Sequence, residues 1–100
     1  MLTTLTPIFI IYPEGRWEKV ESVNLPGETA AKKEARMFNA ARAVVGGDVE
    51  MVACIIPGRA LLVDDSANMR SNPPLVNTLA SALSYRGVSL RGPAVMARVS

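Results

Sequence analysis

The chain contains no histidine and a single cysteine, Cys54. Without histidine, a Cys–His catalytic arrangement cannot be built within the chain, and the usual cysteine and histidine ligand sets for structural zinc are missing. One cysteine excludes an internal disulfide and fits a reducing compartment, so Cys54 is expected as an inert thiol in a buried strand. Aromatic residues are scarce: Phe9, Tyr12, Trp17, Phe38 and Tyr85 are all there are. The core must therefore come from Val, Ile, Leu, Ala and Met. Long hydrophobic runs are also absent. Ile8 to Tyr12 is strand length and far short of a membrane span, and the residues before it lack the basic region of a signal peptide. These features predict a soluble, cytoplasmic protein with no membrane contact. The net charge is only +2 and the basic residues are scattered, with only Lys32 and Lys33 adjacent. A surface that tracks phosphates needs a basic patch or stripe, so nucleic acid is not an expected partner.

The chain has no internal repeat, low-complexity segment or linker to divide it. Its 100 residues, 49% of them hydrophobic, are the size of one domain with its own core. Residues 1–100 are therefore read as a single domain organised around two stretches, Val44–Val52 and Arg59–Asp65, which form a helix end, a glycine turn and two strands. Upstream, Pro7–Tyr12 is β-branched and aromatic on both faces, which predicts a buried strand. Pro13-Glu14-Gly15 turns it into an antiparallel partner over Arg16–Val23. Pro26-Gly27-Glu28 is expected to open a helix running to Val45, with Ala31, Ala35, Phe38, Ala41 and Val45 on its apolar face. Glu28 is placed to pair with Lys32 one turn on, and Gly46-Gly47 should end the helix.

Asp48–Ile56 and Arg59–Val63 then read as a hairpin about Pro57-Gly58. A loop containing Pro73-Pro74 leads to a second helix, capped either by Asn72 with Pro73 in its first turn or, as the compact apolar face of Leu79, Ala82 and Leu83 favours, by Asn77. Val88–Val99 is expected to close the chain as a last strand broken at Gly92-Pro93. The predicted order is ββαββαβ: an α+β domain with a mostly antiparallel sheet and both helices on one face.

The only oxygen-rich cluster is Asp64-Asp65-Ser66-Ala67-Asn68. Converging oxygens suit a hard cation, which makes Asp64 and Asp65 the metal candidates. The cluster lacks the glycine and closing glutamate of a calcium loop, and its residue types routinely end strands as solvated turns. Glu14, Glu18 and Glu21 near Trp17 do not make a glycosidase pair without a shaped cleft. Gly46-Gly47 follows a helix instead of preceding one, so it sits at the pole that repels phosphate. Among the arginines, Arg70 in the long loop and Arg91 beside Gly92-Pro93 are the candidates for gripping an anion. Trp17 on a polar hairpin and Met69 near the double proline are the candidate partner contacts.

Several of these residues fall into an ordered set: Val45-Gly46-Gly47 followed by Val49-Glu50 and Val52, then Leu62-Val63-Asp64-Asp65, then Asn77 and Ala80, and finally Gly92-Pro93 before Ala94-Val95. This set resembles the small phage, plasmid and bacterial family catalogued as domain of unknown function 3846, over about half of the chain. That family tends to carry an Asn-Glu pair where Asp64-Asp65 stands here. The resemblance implies an accessory gene of a mobile genome, acting in the cytoplasm of a bacterial host, and brings no activity with it. Asn77 stands with Arg70 and Arg91 as a candidate ligand-binding residue.

With no acid–base pair and no metal set, the leading expectation is a protein without enzymatic activity or cofactor that binds a host protein or assembles with itself. A homo-oligomer, a dimer first of all, fits a small sheet with open edges. The alternative is a sequestering protein for an anionic, nucleotide-like small molecule held by arginines at a subunit interface. A metal-dependent enzyme using Asp64 and Asp65 is the third reading.

Overall fold

A computed structural model of the chain describes residues 5–46 and 48–99. The reading of the residues before Leu5, and the part of Gly47 in ending the helix, lie outside the described residues, as does the side chain of Asn68. The chain runs β1 (Leu5–Ile11), β2 (Trp17–Lys19), α1 (Ala30–Val45), β3 (Val49–Ala53), β4 (Arg59–Asp64), a 3₁₀ turn (Ala67–Met69), α2 (Thr78–Leu83) and β5 (Ala94–Val99). The five strands form one sheet in the order β2-β1-β5-β4-β3. Every neighbouring pair is antiparallel. The α+β class and the ββαββαβ order are those predicted.

The placement of the helices differs from the prediction. Successive residues of a strand point to opposite faces. In β4, Leu61 and Val63 pack with Ile11, Met96 and Ala80 of α2. Leu62 between them packs with Val95 and with Ala41 and Val45 of α1. The two helices therefore lie on opposite faces, and the sheet is apolar on both sides because both are covered.

A bulge in β1 keeps this alternation consistent. Pro7 pairs with Ala97 and Phe9 with Met96, which leaves Ile8 without a partner in β5. The extra residue switches the parity of the strand, so Leu5 and Ile10 both join the α1 side. β2 is shorter than predicted. Its last bond, from the Val20 amide to the Ile8 carbonyl at 2.7 Å, falls at the bulge, and a bulged strand bends away from its partner.

α1 begins later than predicted. Pro26-Gly27 is a turn, with the Glu28 amide on the Leu25 carbonyl at 3.2 Å. Thr29 is the N-cap and its hydroxyl accepts the Lys32 amide at 3.2 Å. Glu28 therefore lies outside the helix and does not pair with Lys32. Arg36 takes it with two bonds of 2.8 Å and also donates to the Val23 carbonyl at 2.6 Å, which ties the incoming loop to the helix. Met37, Ala41 and Val45 are buried, whereas Ala31 and Ala35 are exposed, because the first turns face β1 with Ala30, Lys33 and Glu34 instead. Gly46 ends the helix at φ 74°, its amide on the Arg42 carbonyl, a conformation that glycine adopts without steric cost.

β3 and β4 pair from Val49↔Asp64 to Ala53↔Ala60. α2 starts at Asn77 as predicted, but its buried residue is Ala80, while Leu79 and Ala82 are exposed. Val88–Leu90 is not a strand. Leu90 instead accepts the Asn77 amide at 2.7 Å and donates to the Ser81 hydroxyl at 2.8 Å, so this stretch folds back on the start of α2.

Candidate functional site

The predicted site residues separate into three places. Asn77 has 0% of its surface exposed. Its side-chain amide donates to the carbonyls of Ile11 and Gly92, each at 2.9 Å, and its oxygen accepts the Ala80 amide at 3.1 Å. One side chain thus caps α2 and ties it to the end of β1 and to the turn before β5. Both of its donors are used, and no surface is left for a ligand. Arg91 is half-buried nearby, donating to the Pro74 carbonyl at 3.0 Å. Gly92 takes the left-handed turn before β5, at φ 79°.

The acidic turn is the second place. The Asp64 side chain is only 4% exposed. It accepts the Ser66 amide and hydroxyl, both at 3.0 Å, and pairs with Arg70. The expected solvated turn is therefore correct for exposed Asp65 and not for Asp64, because Arg70 and Ser66 together satisfy the inward carboxylate. Arg70 is anchored by that ion pair, with its side chain still 45% exposed. When protonated, the Glu50 carboxyl on β3 can hydrogen-bond to Asp65, and this bond, with the Asp65 charge, raises Glu50 above its ordinary pKa. No group of three or more side chains able to hold a metal ion occurs among the described residues.

The third place is the hairpin that carries Trp17. The Trp17 ring stands edge-on to Phe9 with centroids 5.2 Å apart, yet Trp17 remains 60% exposed. Behind it, Arg16 lies over the Tyr12 ring at 3.9 Å and bridges Glu14 and Glu18. Burial, then Glu18, raises the Tyr12 hydroxyl above its ordinary pKa. Phe9, Ile11 and Met96 of the sheet, Leu79 and Leu83 of α2, and Trp17 line an open groove of about 200 Å³. None of these six side chains is charged. The groove exists because α2 is six residues long and stops short of covering β1 and β2. Met69 is 85% exposed but does not line it.

The arrangement can grip an apolar group and offers no acid, base or nucleophile to act on it. Trp17 was legible from its polar surroundings. The other groove residues were read as core, because the gap depends on how far α2 extends over β1, which lies more than 60 positions earlier in the chain. No family model, curated protein or solved structure matches the chain. No helix among the described residues is long and apolar enough to cross a membrane.

Proposed function

We propose that this protein is a binding module without catalytic chemistry, which holds an apolar side chain of a protein partner in the Trp17 groove. The observation that carries this reading is the groove itself: an exposed tryptophan facing an uncharged cleft of about 200 Å³. Small-molecule sites usually enclose roughly 300–1,000 Å³ and add a few convergent polar groups. This groove is smaller and has none in its lining, which suits one or two anchor side chains of a partner, the usual centre of a protein interface. The partner is a host protein or a second copy of the chain, and the resemblance to domain of unknown function 3846 supports an accessory role in a phage or other mobile element. The nucleotide-like alternative loses support, since Arg70, Arg91 and Asn77 all have intramolecular partners.

Affinity capture from bacterial lysate, with wild type and Trp17→Ala side by side, tests the reading. A protein retained by wild type and lost with the variant is the expected result, as is a Trp17-dependent dimer in light scattering. Identical captures and identical masses for the two would overturn it.

A further inference from the structure

The floor of the groove does not end in neutral surface. On β5, the residue two beyond Met96 on the same face is Arg98, and on β4 the residue two before Leu61 is Arg59. A step of two along a strand is about 7 Å. Arg59 and Arg98 are directly opposite in register, and Lys19 is opposite Phe9 on the other side. The uncharged floor therefore runs into three cations. Four of the nine acidic residues are engaged elsewhere: Glu14 and Glu18 with Arg16, Glu28 with Arg36, and Asp64 with Arg70. Among the described residues, Lys19, Arg59 and Arg98 make no salt bridge. Like charges directly across a strand pair destabilise a sheet, so an Arg–Arg pair beside an open apolar cleft is a cost that a bound anion would offset. Arg98 also borders the hollow between β1 and the start of α1, beside Glu34, so Lys19 and Arg59 are the residues on which to test the idea.

We infer that the groove takes a peptide segment in which an apolar anchor side chain is flanked by aspartate or glutamate. The anchor fills the cleft between Trp17 and Leu83, and the carboxylates meet Lys19 and Arg59 beside it. This inference rests on the groove reading above and adds the chemical class of the partner. Complementary charge sets which partner is accepted and how fast it arrives more than it sets the total affinity.

The experiment is selection of a displayed random 12-residue peptide library on the immobilised full chain, with clones that also bind Trp17→Ala discarded. Enrichment of Asp or Glu beside Leu, Phe or Trp is expected. A synthetic copy of an enriched peptide should bind less tightly as salt rises and about tenfold more weakly to Lys19→Glu/Arg59→Glu, in line with the loss of close charge pairs. Lys19→Glu alone, at an exposed position, repeats the test if the double variant does not fold. Trp17-dependent clones with no acidic bias would overturn the inference and leave the groove standing. The absence of any Trp17-dependent clone would overturn both.

Discussion

The two faces of the sheet are covered by helices of unequal length. α1 spans 16 residues and covers the middle of its side with Met37, Ala41 and Val45, against Leu62, Val95 and Ala97, leaving hollows beside β1 that charged side chains border. α2 spans six residues; the buried Asn77 ties its start to β1 and the turn before β5, and backbone bonds from Ile55 to Leu83 and from Tyr85 to Ala53 tie its end to the chain beyond β3. The better-covered face puts its buried apolar surface into stability. A half-closed face keeps some of that surface for a partner, and the groove at Trp17 is the part α2 leaves open.

Asn77→Ala should break this comparison most severely, by releasing α2 from the sheet. It strands two buried carbonyls, at about 1–3 kcal/mol each, and removes an N-cap, at about 1 kcal/mol. A loss of about 4 kcal/mol in urea unfolding is expected, a large share of the stability of a small domain; a loss below about 1 kcal/mol would mean the side chain only caps. Leu62→Ala opens the better-covered face and should cost about 3 kcal/mol. Gly92→Ala imposes a side chain on a left-handed backbone, for about 1 kcal/mol, with only ordinary contact to Pro74. Trp17→Ala should lose less than about 1 kcal/mol, the worth of one edge-to-face ring contact, while removing partner binding. Equal costs for Trp17→Ala and Leu62→Ala would refute the difference between the faces.

The smallest effect concerns pH. The folded chain holds the Glu50 proton more tightly than the unfolded chain does, because of Asp65. Stability should therefore fall as pH rises from the ordinary glutamate value through the raised one, and Glu50→Gln should remove that fall. Glu28 behaves oppositely: hydrogen bonds from Arg36 lower its pKa, so its contribution is lost as pH falls below the ordinary value. Thermal unfolding across pH 3 to 7 (about the window of carboxylate titration) separates the two.

Much of the fold was legible locally. The β3–β4 hairpin about Pro57-Gly58 and the Asn77 cap follow from turn and capping chemistry within a few residues. The covering of both faces was also written in the chain, as the unbroken apolar runs Ala60–Val63 and Ala94–Ala97, since a strand with one wet face alternates. Assigning both helices to one face passed over that signal. The start of α1 was harder to read. Pro26 and Glu28 both carry helix-opening character, and only the distant partner Arg36 shows that Glu28 belongs to the loop. Trp17 stood out by its setting, but its neighbours in the groove come from three separate elements, and no local pattern brings β1, β5 and α2 together.

The strand order has a consequence for how the protein is made. β1-β2-α1 and β3-β4-α2 are each continuous in the chain, and β5 lies between β1 and β4. During synthesis each half can form its hairpin as it emerges, but the two cannot join until residues 94–99 have also left the ribosome. Until then β1 and β4 each present an unpaired edge, a template for mispairing with other nascent chains. A stop codon placed before Ala94 would therefore do more than shorten the product. It would leave the two halves without strand pairing between them, joined only by the packing of α1 on Leu62 and by the Asn77 bond to Ile11, and such a fragment should accumulate as aggregate or be degraded.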